Sequence, residues 1–185
     1  MTVAATAETR HEFDRDRPRA AMRDDDAPAI GVITETRNFE ALRGEWSELL
    51  DASSAHSIFL TWEWLFAWWK HLGGERQLSI ITVRSRRDGQ LLGVAPFSKT
   101  RRGLLEFLAT GAVSSDHLDV IARRGVEDLV LDSLIEHLVA RGTPLKLVHY
   151  DRGTSLVDEL SRRLQERGWH SVEAALARAP FIDLT

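Results

Sequence analysis

Hydrophobic positions are scarce at the start of the chain and periodic afterwards. Residues 1 to 28 mix Arg and Asp, as in Arg15-Asp16-Arg17-Pro18-Arg19 and Asp24-Asp25-Asp26, with almost nothing apolar. Such a stretch cannot bury enough surface to offset its ordering entropy and reads as a disordered tail, leaving 29 to 185 as the domain. Ile30 to Thr34 predicts a strand, and Asn38 caps a helix with Phe39, Leu42, Trp46 and Leu49 on one face. The densest apolar stretch is Phe59 to Gly73, which holds four of the six tryptophans. Thr61 suits its N-cap, Glu63 suits the first turn, and Gly73-Gly74 suits its end. Trp62, Leu65, Trp69 and Leu72 form one helical face, expected to be core. Trp64, Trp68 and His71 form a second.

Leu78 to Val83 and Leu91 to Phe97 flank Asp88-Gly89, a strong hairpin signal. Pro96 cannot donate to a ladder, so this second strand is expected to end, bulge or run at an edge there. A basic turn, Lys99 to Gly103, leads to a third strand, Leu104 to Leu108. His117 to Ala122 alternates polar and apolar like a half-buried strand. Val126 to Arg141 predicts a helix closed by Gly142, and Leu145 to Tyr150 a strand. Ser155 caps a helix that turns Leu156, Leu160 and Leu164 inward and ends at Gly168. Trp169 to Ala177 and Phe181 to Leu184 read as final strands. The order is β-α-α-β-β-β-(β)-α-β-α-β: an α+β class with a central, mostly antiparallel sheet flanked by helices.

Composition narrows the function classes. The 185 residues are 43% hydrophobic and 28% charged, an ordinary globular balance. A net charge of −4 gives no reason to expect a nucleic-acid partner. With no cysteine, thiolate catalysis, disulfides and cysteine-bound zinc are excluded. No apolar run reaches the ~20 residues of a membrane-spanning helix. The opening residues lack the basic start and apolar core of a secretory signal, so a cytoplasmic protein is expected.

Acid–base chemistry needs a carboxylate or imidazole titrating near neutrality in a cleft. Asp116, His117 and Asp119 form the best cluster, with Asp116 and His117 the candidate catalytic residues. A polar strand start facing water is the competing reading. His-x-Asp offers two metal ligands on one strand face, but no third ligand is evident, and metal is set aside. There is no Gly-x-Ser-x-Gly elbow to support a hydrolase triad through His56.

Several motifs carry a family resemblance. Phe59-Leu60-Thr61-Trp62-Glu63-Trp64 with Ala67-Trp68-Trp69, Leu92-Gly93-Val94-Ala95-Pro96-Phe97, Ser115-Asp116-His117-Leu118-Asp119 and Ala179-Pro180-Phe181-Ile182-Asp183-Leu184 cover roughly residues 30 to 185. With the element order, they resemble the GNAT acyltransferase superfamily, in particular its cellulose-biosynthesis CelD proteins and BioF2-like acetyltransferases. The resemblance implies transfer of an acyl group from acetyl-CoA or another acyl-CoA to an amine. The acceptor would be a small molecule, glycan or peptide of cell-envelope or exopolysaccharide metabolism. It further implies a two-domain tandem protein of which this chain matches the first half, so the partner is a second domain or a homodimer mate meeting the aromatic helix. In such enzymes the corresponding helix lies near the acceptor groove, which makes Trp64, Trp68 and Lys70 the expected substrate contacts.

The CoA pyrophosphate usually sits on a (Gln/Arg)-x-x-Gly-x-(Gly/Ala) loop at a helix N-terminus. Here that stretch reads Arg123-Arg124-Gly125-Val126-Glu127-Asp128. The second glycine is missing, and two carboxylates fill the turn where an anion would bind, so this half is expected not to hold CoA in the usual way. Arg101, Arg102 and Gly103 of the basic turn are the alternative anion site, with plain solvated surface the competing reading. The rival functional class is a non-catalytic binding or scaffolding domain that uses the aromatic face.

Overall fold

The computed structural model describes residues 27–111 and 115–172. The tail expected over 1 to 28 and the strand over 181 to 184 lie outside these, apart from residues 27 and 28. So does the strand expected over 169 to 177 beyond residue 172. The described chain runs β1 (Ala29–Ile33), α1 (Thr36–Ala41), α2 (Arg43–Asp51), a 3-10 turn (Ile58–Leu60) and α3 (Trp62–Leu72). There follow β2 (Gln77–Arg84), β3 (Leu91–Lys99), β4 (Leu105–Phe107), β5 (Ile121–Ala122), α4 (Glu127–Arg141), β6 (Leu145–Lys146) and α5 (Leu156–Glu166). It is an α+β fold with a mostly antiparallel sheet. The strands lie in the order β1-β2-β3-β4-β6, with β5 also on β3, and only β4 and β6 pair in parallel.

Helices cover both faces. On one face α4 approaches so closely that a Cβ on Gly93 would stand 2.4 Å from Val130 Cγ1. On the other, Glu45 of α2 pairs with Arg84 of β2, and Arg76 lies between the Trp68 ring of α3 and Glu106 of β4. An aromatic cluster joins the first three helices. Phe39 lies 5.5 Å from Trp46 and 5.3 Å from Phe66, and Phe66 stacks on Trp62 at 4.4 Å. The indole N–H groups of Trp46 and Trp62 donate to the carbonyls of Leu60 and Phe39, both at 2.9 Å. The rings are therefore buried without leaving a polar atom unpaired, and the bonds fix their orientation.

Several expectations change. Asn38 lies inside α1, whose N-cap is Glu35, although Phe39, Leu42, Trp46 and Leu49 are all buried as expected. The buried arc of α3 is Trp62, Leu65, Phe66 and Trp68; burial fades along its last turn, where Trp69 is half-buried and Leu72 is 44% exposed. Thr61 does cap this helix, its hydroxyl accepting the Trp64 N–H. His117 to Ala122 is strand only at Ile121–Ala122, and Leu145 to Tyr150 only at Leu145–Lys146. Residues 169–172 form no strand.

Pro96 lies inside β3, which continues to Lys99 with β2 on one side. The proline instead breaks the other side. The Pro96 carbonyl accepts the Leu108 N–H at 2.7 Å. In an antiparallel hydrogen-bonded pair the return bond would come from the N–H of residue 96, which proline lacks. The ladder with β4 stops there. The chain leaves the sheet and rejoins the same edge of β3 as β5, opposite Gly93 and Val94.

The contact between Gly93 and Val130 yields a direct test. Gly93→Ala should cost about 1–3 kcal/mol, because the added methyl overlaps a packed side chain. In urea unfolding the Gly93→Ala/Val130→Ala pair should be more stable than the two single losses summed. Strict additivity would show that helix and strand are not in this contact.

Candidate functional site

Past Phe107 the chain leaves β3 and later returns to it as β5, and the described part of this excursion is residues 108–111 and 115–120. Leu118 and Val120 bury their side chains and anchor this excursion, and the Leu118 N–H donates to the His149 carbonyl at 2.8 Å. Their neighbours His117 and Asp119 are thereby turned the other way. Two further loops meet it. One links α2 to the 3-10 turn and is shaped by Ser53 and Ser57, which accept the N–H groups of Ala55 and Phe59 at 3.1 Å each. The other precedes α5, where Ser155 caps the helix by accepting the Val157 N–H at 3.0 Å. Between the three loops lies a cleft of about 350 Å³, with Ser54, His56, His117, Asp119, Asp151 and Ser155 among its polar walls. No lysine or arginine lines it among the described residues.

Two carboxylates in the cleft have different environments. Asp151 Oδ2 sits 2.5 Å from His117 Nδ1, and both side chains are about half exposed. This contact orients the imidazole and leaves Nε2 as its free nitrogen. Asp119 retains some surface as a residue, but both of its oxygens are engaged: Oδ1 accepts the Val120 N–H at 2.7 Å and Oδ2 the Leu156 N–H at 3.0 Å. Burial raises its pKa, and hydrogen bonds from the Ser155 side chain and neighbouring backbone N–H groups oppose the rise. Burial dominates, lifting the group from 3.8 to about 6. A carboxyl is thus held where it can both give and take a proton near neutrality.

The backbone is also unusual here. Ala109 (φ 64°), His117 (φ 54°) and His149 (φ 62°) are the non-glycine residues with left-handed backbones among those described. Two lie on the excursion and the third on the loop hydrogen-bonded to it. Each such conformation costs on the order of 1 kcal/mol and persists where surrounding contacts enforce it, a pattern concentrated at functional sites.

Of the residues expected from the sequence, His117 lines the cleft. Asp116 adjoins it, exposed, with Oδ1 3.5 Å from His149 Nδ1. Trp64, Trp68 and Lys70 do not converge. Trp64 is half-buried, packs edge-on against Phe59, and donates its N–H to the fully buried Ser115 hydroxyl at 3.0 Å, bracing the excursion from α3. Trp68 is 5% exposed, beneath the Arg76 guanidinium. Lys70 is exposed, with its ammonium over the Phe66 ring. None of the three lines the cleft, and Trp64 and Trp68 form no exposed aromatic patch. In the basic turn Arg101 pairs with Glu75, Arg102 is exposed, and Gly103 supplies the left-handed residue. At the start of α4, Glu127 Oε2 accepts the Gly125 N–H at 2.7 Å, so this helix N-terminus is already met by its own carboxylate.

Sequence reading did not find Asp151, which is 34 residues from His117. Nothing in local spacing joins the two. Ser155 was legible as a cap but not as part of a cleft. A scan against models of protein families and a search of curated proteins return no match to this chain. No helix among the described residues is long and apolar enough to cross a membrane.

The position of Asp119 has a measurable consequence. Its folded pKa lies above its unfolded value, so between about pH 4 and 6 the folded state binds the extra proton. The stability it contributes is complete below about pH 4 and is lost as pH rises through about 6. The loss is on the order of 2–3 kcal/mol. Urea unfolding from pH 4 to 7 should show this slope in the unaltered protein and not in Asp119→Asn. Carbon NMR of the Asp119 carboxyl should titrate near pH 6, and a midpoint at the ordinary value would refute the assignment.

Proposed function

We propose that this chain is a GNAT-like acyl-transfer domain of the CelD and BioF2-like kind, and that its cleft takes the amine acceptor. The observation that carries this reading is the pairing, in one cleft, of an oriented imidazole with a carboxyl titrating near pH 6, with no lysine or arginine lining it among the described residues. An amine acceptor arrives as an ammonium ion, which a wall of carboxylates favours. It becomes a nucleophile only after losing a proton. Asp119 and the free nitrogen of His117 are suited to take that proton, and Asp151 to hold the imidazole in one orientation. Acyl-CoA is the donor in this reading, supplying a thioester carbonyl for the amine to attack.

The donor's pyrophosphate does not fit the start of α4. Glu127 occupies the Gly125 N–H, and Asp128 adds a second negative side chain to the same turn, paired with Arg163. No step of donor binding is therefore assigned to that turn. The chain is the acceptor-side half, and a second domain or partner carries the donor. The same observation favours the rival reading, a binding domain without catalysis.

The two separate in one experiment. A panel of primary amines is titrated onto the chain, and acyl-CoA consumption is followed with the best binder. The acyltransferase reading expects amine binding and turnover. His117→Ala and Asp119→Asn should then each slow turnover about 100-fold, the usual contribution of a positioned acid–base group, with the native fold retained. Amine binding without turnover, in this chain and in a protein carrying a donor domain, leaves the binding-domain reading. If no amine binds, both are wrong about the cleft.

A further inference from the structure

A second concave site lies where the C-terminal half of α4 crosses the sheet. It has a volume of about 70 Å³. Lys99 reaches it from the end of β3, His137 and Arg141 from successive turns of α4, Ser79 from β2, and Thr143 from the residues that follow the helix. Its remaining walls are apolar, and no carboxylate lines it among the described residues. Among the described residues Lys99, His137 and Arg141 have neither an ion pair nor a hydrogen bond through their side chains. Other basic side chains, such as Arg76, Arg84, Arg101, Arg162 and Arg163, are paired with acids.

We propose that this site binds a phosphoryl group through Lys99, His137 and Arg141, with the hydroxyls of Ser79 and Thr143 completing the donor set. Cationic donors form the shorter and stronger hydrogen bonds to phosphate oxygens, and hydroxyls supply the remaining directions. The dipole of α4 favours a basic residue in its last turn and so accounts for Arg141 by itself. It does not account for Lys99 entering from a strand, nor for two hydroxyls facing the same space. His137 is held below its ordinary pKa by burial and then by the charge of Arg141, and a bound dianion would reverse that direction. The site shares no residue with the cleft and does not depend on the function proposed for it.

The test uses the full chain, with sodium phosphate and methyl phosphate as probes and sodium chloride at matched ionic strength as reference. Binding is read by calorimetry and by NMR of the His137 ring. Saturable binding is expected, with the His137 pKa rising when phosphate is bound. Lys99→Met and Arg141→Gln should each weaken it at least about tenfold, equivalent to ~1.4 kcal/mol, with unfolding midpoints unchanged. Methyl phosphate binding as well as or better than phosphate identifies a phosphomonoester as the ligand; tighter binding of the free ion identifies inorganic phosphate. A linear response shared with chloride overturns the proposal, as does wild-type affinity in both variants. Should Lys99→Met fail to fold, Arg141→Gln decides alone, because Arg141 is exposed.

Discussion

One missing hydrogen-bond donor organises the working end of this molecule. Residue 96 stands opposite Leu108, accepts its N–H, and as a proline cannot return the bond. A short strand that loses one bond of a reciprocal pair has little reason to stay in register, and here the chain departs at that point. Everything attributed to the cleft follows. The excursion presents His117 and Asp119, its buried Leu118 and Val120 hold it down, and the loops before α3 and α5 close around it. On its other side β3 pairs with β2 along its length, with one register shift at Val83/Arg84.

The cleft is a balance between desolvation and hydrogen bonding. Asp119 accepts backbone N–H groups and lies near the start of α5, both of which favour its charged form. Burial nonetheless outweighs them. Glu159, on the same helix as Leu156, shows the opposite outcome. Hydrogen bonds from Arg162 and Arg163 hold it down at about 2, against a smaller effect of burial. The same residue class is driven in two directions by the presence or absence of a guanidinium. The carboxyl without one lies in the cleft, where a proton near neutrality is useful.

Legibility in the sequence followed the range of the forces involved. Thr61, Asp88-Gly89, Gly142 and Ser155 were readable because capping and turn formation are decided within a few residues. The α+β class was readable from the order of such signals. The alternation over His117 to Ala122 holds as far as Val120, with Leu118 and Val120 buried around Asp119, and then gives way to buried Ile121 and Ala122 in succession. But alternation reports which side chains face inward, not whether the backbone has a ladder partner. Within the aromatic helix, spacing identified an apolar helix but divided its faces incorrectly. Trp68 was assigned outward because a wheel drawn from sequence does not know that Arg76 and Glu106 build a wall beside it. The pairing of His117 with Asp151 depends on two loops meeting across the end of a sheet, and no local pattern encodes that.

The excursion also bears on how such a site can change over time. The strands β4 and β5 are both held by β3, whatever lies between them. A loop tethered at both ends becomes more costly only logarithmically with length, about 0.6 kcal/mol for each doubling. Residues can therefore be inserted between Leu108 and Ser115 at little thermodynamic cost, while the anchors at Leu118 and Val120 preserve the facing of His117 and Asp119. The sheet stays fixed and the mouth of the cleft can vary. By removing one hydrogen, Pro96 places a segment that lines the cleft where insertions and deletions are best tolerated.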